Sequence, residues 1–451
     1  MTKMIPRSST LCMVLLLLAM AECACGEAPA GSTGRRAAAG PRPSVLLIVV
    51  DTLRRDHLGC YGYPRNTSPA IDGLAAVSTR YTRAFGQAPW TTPSIGSLLS
   101  SRAPSFLGIR TVASALPQDL KLIPETLKEA GYTTGAIISH TFCSARWNFN
   151  QGFDLFDEKA IVGPDLPTSP QVTKATLAYL DAHAGEPFFL WVHMFDPHNR
   201  YLLHPKFDFP PDKPYDGPVR QDWRWKDIRR KLPSMEPRDM QQVIRFYDSE
   251  IAFTDHHVSM ILDRLRALHL FDDMLIIFTA DHGEEFGDHH GMGHTNRLYQ
   301  ELVNVPLIIK YPRSRPAVVD RPVALLDLYP TILETAGLPP RPDLEGISLL
   351  HMRKGETPRS IFTETSRGRT LRGVISGKYK FIRDLKSGRT ELYDLIKDPG
   401  ERTNLAREKP NIQATLSQRL EEWMGRQARL MMSAPELHLT DQEIRRLRSL
   451  G

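Results

Sequence analysis

Three apolar runs in this chain each end in an acid or a histidine, and that pattern constrains the fold more than any other. Leu275-Ile276-Ile277-Phe278-Thr279-Ala280 runs straight into Asp281-His282-Gly283-Glu284-Glu285. Val45 to Val50 ends in Asp51-Thr52-Leu53-Arg54, and Phe188 to Phe195 ends in Asp196-Pro197-His198. Each reads as a strand buried on both faces that delivers polar groups to its C-terminal tip. Open α/β sheets bind ligands at that edge. A carboxylate beside a neutral imidazole is a natural pair of metal ligands. A single Asp-His-Gly would be a turn, but turns do not account for three such tips.

The rest of the chain fits this frame. From Ser44 to about Pro340 strand and helix patterns alternate, which implies an α/β fold with a mostly parallel sheet sandwiched by helices. The expected strands are Val45–Val50, Thr133–Ser139, Phe188–Phe195, Leu275–Ala280 and Val305–Lys310. The expected helices are Ser68–Val77, Pro93–Ser101, Leu120–Ala130, Pro170–His183, Asp239–Leu268 and Leu325–Ala336. Leu202 to Pro237, rich in proline, reads as a surface excursion near the site. The pattern then changes to short strands with glycine turns over residues 360–394, followed by an amphipathic helix from Pro410 to Arg429. This is a small C-terminal antiparallel sheet plus helix. The domain reading is an export signal over 1–25, a flexible linker over 26–43, a catalytic α/β domain over 44–355, a small subdomain over 356–432 and a polar tail over 433–451.

Lys3 and Arg7 precede an apolar run, Leu11 to Ala21, that is too short to span a bilayer. This reads as export, with the product periplasmic, extracellular or lipid-anchored at the cell envelope. Cys23 and Cys25 would suit a lipid anchor, whereas Glu22 suits a lipoprotein signal poorly, so plain secretion and anchoring both stay open. Any membrane association would run through that anchor. Beyond this segment only Cys60 and Cys143 remain, which gives neither a disulfide framework nor a Cys-x-x-Cys metal site. The formal charge of +6 over 451 residues is mild. Arginine-rich stretches are scattered and carry no nucleic-acid motif, so no nucleic-acid partner is expected.

The chain resembles the sulfatases of the alkaline phosphatase superfamily. The resemblance is carried in order by Asp51 through Gly62, Thr67 through Ala75, Ala88 through Ser94, Phe195-Asp196-Pro197-His198, Asp281 through His294, Glu301 through Ile308, and Glu391-Leu392-Tyr393-Asp394. It implies an alkaline phosphatase-like fold and a metal-dependent hydrolase of oxyanion esters. The family carries a Cys or Ser that is oxidised to a formylglycine nucleophile. Registering on Pro93-Ser94 places Thr91 there, with Ile95 in place of the motif arginine. A threonine cannot become that aldehyde, so no formylglycine is expected.

A formylglycine hydrate expels sulfate through its second hydroxyl, which a threonine lacks. A phospho-threonine can instead be hydrolysed in line or passed to an acceptor. The family by itself implies a sulfuric ester hydrolase, and Thr91 favours phosphate mono- or diester hydrolysis or phosphoryl transfer. The usual Asp-Asp and Asp-Asn pairs are here Asp51-Thr52 and Asp281-His282. The set Asp51, Thr91, Asp281 and His282 resembles the single-metal site of lipoteichoic acid synthase and the phosphoethanolamine transferases. One divalent ion is implied, Mn, Zn or Mg rather than Ca. His198 and His294 fall where the family binds the anion or protonates the leaving oxygen. The substrate would be a sulfate or phosphate ester on a glycan or lipid headgroup.

Rival readings run alongside. Thr91 could be a helix N-cap. His193, within an apolar strand, reads as a satisfied core histidine, and His289 and His290 read as exposed loop residues. Asp56 and His57 read as loop-stabilising. Asp196, His198 and His294 could hold a second metal. A protein that only binds anionic glycans is the alternative to an enzyme.

Overall fold

The computed structural model describes residues 42–163, 165–198, 200–350 and 359–448. The export signal and most of the linker read from the sequence lie outside them. At the centre is β1 (Val45–Val50), six aliphatic residues without solvent exposure. Truncating one of them, Ile48, to alanine would cost about 2–5 kcal/mol. Further strands are β2 (Thr79–Phe85), β3 (Thr133–Ile138), β4 (Leu155–Asp157), β5 (Phe188–Met194) and β6 (Leu275–Ala280). A short hairpin, β7 (Glu285–Phe286) and β8 (Met292–Gly293), precedes β9 (Asn304–Lys310) and β10 (Ala317–Ala324).

The main sheet has eight strands in the order β10-β2-β9-β6-β1-β5-β3-β4. From β6 to β4 all neighbours are parallel. β9 runs antiparallel to both β6 and β2, and β10 is parallel to β2. The sheet is therefore mostly parallel, as the alternating pattern implied. The three strands whose tips carry the site, β5, β1 and β6, are adjacent. Their C-terminal ends coincide, with Val50 opposite both Met194 and Ala280.

Helices Pro69–Ala76, Thr91–Ser100, Ile123–Glu129, Ser169–His183, Pro237–Ala267 and Leu328–Thr335 pack around this sheet. Four antiparallel strands, β11 (Ile361–Thr365), β12 (Leu371–Ser376), β13 (Tyr379–Asp384) and β14 (Thr390–Asp394), form a second sheet in sequential order. The Pro410–Leu430 helix covers it, with Trp423 stacked on Phe362 at 4.6 Å. This sheet is joined to the site side of the large one, where Thr365 Oγ1 donates to the carbonyl of Thr295 (2.6 Å) and the Glu364 N–H to that of Gln87 (2.9 Å).

The tail read as polar is fastened along the 113–115 segment. Leu437 N donates to Ala113 O and Ala115 N to Pro435 O. In the excursion after β5, helix Trp225–Lys231 packs on β8, and Tyr201 and His204 reach the acids Glu284 and Glu250.

Candidate active site

The tip of β1 is bent so that Asp51 stays at the sheet edge. Its N–H continues the ladder to Met194 O (2.9 Å). Thr52 then adopts a left-handed φ of 53°, a conformation that costs energy for a β-branched residue. Tyr247 holds it there: its hydroxyl donates to Thr52 O (2.7 Å) and accepts from Arg54 N (2.8 Å). At the neighbouring tip, Asp281 Oδ1 accepts from Thr52 N (3.3 Å) and His282 N (2.8 Å). Gly283 turns the chain away. It sits so close to Glu301 that a Cβ would meet the Glu301 carbonyl at 2.0 Å.

His282 Nδ1 lies 3.0 Å from the carbonyl of Gly283. A carbonyl only accepts, so Nδ1 carries the proton and Nε2 presents a lone pair. That nitrogen is 3.4 Å from Asp281 Oδ2 and 3.7 Å from Asp51 Oδ1. Two ligands on one tetrahedral ion with bonds of about 2.1 Å stand roughly 3.4 Å apart. All of these side chains are fully buried. His282 Nε2, Asp281 Oδ2 and both oxygens of Asp51 have no hydrogen-bond partner among the described residues. Burial pushes the Asp51 carboxyl well up, and Asp281 and Glu284 add to the effect. Buried carboxylates are tolerated when a cation compensates them. Two carboxylates and one neutral imidazole therefore fit a divalent ion.

Thr91 is the first residue of its helix and is buried. Trp90 occupies the cap position, and no side chain caps the helix start. The N-cap alternative is thus not what the residue does. Two hydroxyls behind it fix the helix. Ser94 Oγ donates to Asp281 O (2.7 Å), and Thr92 Oγ1 donates to Phe142 O (3.1 Å). The helix N-terminus is held between the Asp281 tip and the loop after β3, an arrangement that suits an anion.

Histidines line the rest of the site. His198 stacks on Phe195 at 4.5 Å and meets the His294 ring edge-on at 5.2 Å. His294 lies 4.6 Å from His282, ring to ring. Its Nδ1 is 3.0 Å from Glu284 Oε1, and the other oxygen of Glu284 accepts from Tyr201 Oη (2.9 Å). Burial lowers the His294 pKa well below the ordinary value, which keeps the ring neutral.

Some residues fall elsewhere than expected. Asp196 turns away to the start of the Ser169–His183 helix, where it accepts from Ser169 N (2.8 Å), Ser169 Oγ (2.6 Å) and Thr168 N (3.0 Å). It does not join His198 and His294, so that second-metal set is not assembled. His193 is not a satisfied core histidine. Neither ring nitrogen has a hydrogen-bond partner among the described residues, and Nε2 stands 3.9 Å from Asp51 Oδ2. His289 pairs with Glu301 (2.7 Å) and stacks on Tyr299, whereas His290 is exposed. Asp56 pairs with Arg54 and His57 with Asp248, both as loop supports.

His140 is the site residue that sequence reasoning missed. It follows β3 by two residues and points Nε2 at Asp51 Oδ2, 3.7 Å away. The apolar-run-then-histidine signal that found the other tips would have found it too.

The family model described as Sulfatase matches residues 43–338. The chain belongs to the sulfatase family. A model described as N-sulphoglucosamine sulphohydrolase, C-terminal, matches residues 288–426 of this sulfatase. It is 26% identical to a Delta 4,5-hexuronate-2-O-sulfatase of Bacteroides thetaiotaomicron, over 83% of this chain and 87% of the relative. It is 26% identical to human arylsulfatase A, over 80% and 83% of the two chains. The solved phosphonate monoester hydrolase of Agrobacterium radiobacter shares the fold, with a TM-score of 0.70 at 20% identity, covering 86% of this chain and 96% of that one. The protein is a sulfatase-family ester hydrolase, from a metal-dependent family whose members cleave oxyanion esters. No helix among the described residues is long and apolar enough to cross a membrane.

Proposed function

We propose that this sulfatase uses Thr91 in place of formylglycine, holds one divalent ion at Asp51, Asp281 and His282, and cleaves phosphate mono- or diesters in preference to sulfate esters. The observation that carries this reading is the set of buried, unpartnered Asp51, Asp281 and His282 atoms beside the hydroxyl-anchored start of the Thr91 helix. Mn²⁺, Zn²⁺ or Mg²⁺ suits two carboxylates and one imidazole. Bound there, the ion lowers the pKa of the Thr91 hydroxyl and neutralises an anion oxygen.

The residues then divide the work. Thr91 Oγ attacks the phosphorus and the ester oxygen leaves. The amide end of the helix receives the charge that develops on the anion. With its Nδ1 proton committed to Glu284, His294 Nε2 takes the Thr91 proton and passes it to the leaving oxygen. His198 lines the opposite wall and binds the anion. Attack of water on the phospho-threonine restores Thr91 and releases inorganic phosphate from a monoester substrate or a phosphate monoester from a diester, and attack of an alcohol would give transfer.

The hexuronate-2-O-sulfatase relative acts on a sulfated sugar, and a glycan or lipid headgroup ester fits the present chain as well. The basic-then-apolar start of the chain supports export, with or without a lipid anchor. We assign catalysis to 44–355 and the subdomain to 356–432. The deciding experiment assays chelated protein, reloaded with each of the three metals, on aryl sulfate, aryl phosphate and bis-aryl phosphate. Turnover of phosphate esters that disappears with chelator is expected. Metal-independent turnover, or none on any ester, would refute the reading.

A further inference from the structure

Asp51 borders a second histidine group, His140 and His198, whose ligand atoms, like those of Asp51, Asp281 and His282, all lie within 4.8 Å of one another. His140 Nε2 is 3.7 Å from Asp51 Oδ2, and His282 Nε2 is 3.7 Å from Asp51 Oδ1. Distance alone would make both groups metal sites and the centre binuclear. The far ring nitrogens separate them. A ligating histidine donates its other N–H to a carbonyl or carboxylate, which leaves the metal-facing nitrogen its lone pair. His282 does so at Gly283 O. His140 does the reverse. Its Nδ1 accepts from the backbone N–H of Phe142 at 2.9 Å, and a backbone N–H cannot exchange roles. The proton of the neutral ring therefore resides on Nε2.

We propose that the Asp51–His140–His198 group is a subsite for an oxygen of the bound tetrahedral anion and not a second metal position, with His140 Nε2–H as its donor. This rests on the single-metal reading of Asp51, Asp281 and His282.

Three observations support it. His140 is 1% exposed, and its Nε2 has no hydrogen-bond partner among the described residues. A buried donor without a partner is costly, and a ligand oxygen would remove that cost. The ring cannot easily turn, because Phe142 stacks on it at 5.3 Å and Phe195 flanks it at 5.1 Å. Lastly, Phe142 serves two partners. Its N–H sets the His140 tautomer, and its carbonyl accepts from Thr92 Oγ1, next to Thr91. Donor and nucleophile are thus registered through one residue of the loop after β3.

The experiment has three readouts on the metal-loaded, full-length protein. Nitrogen-15 NMR, with the His140 signal assigned by its loss in His140→Gln, should report the Nε2–H tautomer in the wild type. Metal analysis should give one equivalent per chain in wild type and in His140→Leu. Titration with inorganic phosphate should show at least about tenfold weaker binding in His140→Leu, with most of it restored in His140→Gln, whose amide N–H can replace the donor. An Nδ1–H tautomer would overturn the proposal, and the wild-type spectrum, assigned with His140→Gln, decides this even if His140→Leu fails to fold. So would two equivalents falling to one in His140→Leu, or unchanged phosphate affinity. No metal in wild type would instead refute the Asp51, Asp281 and His282 assignment, while the tautomer and phosphate readouts would still judge His140.

Discussion

Ser94 Oγ donates to the carbonyl of Asp281 across 2.7 Å, so the helix that opens with Thr91 and the strand tip that carries Asp281 form one rigid piece. Both residues are fully buried. Ser94→Ala leaves that carbonyl without its donor, at a cost of about 1–3 kcal/mol. A lower denaturation midpoint is expected together with a lower kcat, because the proposed nucleophile would lose its register with the proposed metal ligands. A loss of stability without loss of kcat would show that the bond only supports the fold.

Removing the proposed nucleophile should give a different signature. Thr91→Ala should abolish turnover and leave the circular dichroism and Tm close to wild type. Thr91→Cys should not gain sulfatase activity in a formylglycine-generating host, because Ile95 stands where the modification motif needs an arginine. Full activity in Thr91→Ala would remove the threonine from the mechanism.

The metal proposed for the tips of β1 and β6 would couple to stability. Bound ion at about a hundredfold its Kd stabilises the native state by about 2.7 kcal/mol. Asp281→Asn should lower both metal content and Tm, and chelator should lower the Tm of wild type but barely that of the variant. Stoichiometric metal in an Asp51→Ala, Asp281→Ala double variant would refute the ligand assignment.

The preference for phosphorus is quantitative. With metal bound, kcat/KM for an aryl phosphate mono- or diester should exceed that for the matching sulfate by at least about tenfold, or roughly 1.4 kcal/mol in barrier. Equal or better sulfate turnover would mean that Thr91 releases sulfate by a route outside this chemistry.

One pH effect lies far from the site. His257 Nδ1 pairs with Thr173 Oγ1 (3.1 Å) between the Ser169–His183 and Pro237–Ala267 helices, and burial, with His256 and His204 nearby, lowers its pKa from 6.5 to about 4. A lowered histidine pKa favours the neutral folded form. Its contribution is complete above about pH 6.5 and is lost as pH falls towards 4. His257→Gln should therefore lose less Tm than wild type between neutral pH and about pH 5. Parallel Tm curves for the two proteins would contradict this.

The site was legible where an ionisable residue follows a long apolar run. Asp51, Asp281 with His282, and His198 all announce themselves this way. His140 follows the same rule after β3, but Ser139 separates it from the apolar run and blurs the signal. His193 was read as core because a strand buried on both faces gives no periodicity to separate a site-facing residue from a packed one. In the fold, β2 was missed because Thr79-Arg80-Tyr81-Thr82-Arg83 alternates polar groups at half-buried positions. β10 was missed because Asp320, Arg321 and Pro322 interrupt it. It is an edge strand, where a proline is tolerated. The contact of Tyr201, just ahead of the excursion, with Glu284 leaves no local pattern at all.

The adjacency of β5, β1 and β6 also bears on how such a site can change over time. Their apolar interiors carry the stability, and every chemical group sits one to four residues past a strand end or on a helix start. A new residue at a tip alters what is bound or attacked without touching the packed layer beneath. The threonine proposed in place of an aldehyde precursor and the imidazole proposed in place of an amide are substitutions of that kind. The frame can thus explore neighbouring reactions by single steps, none of which first has to be rescued by repacking the core.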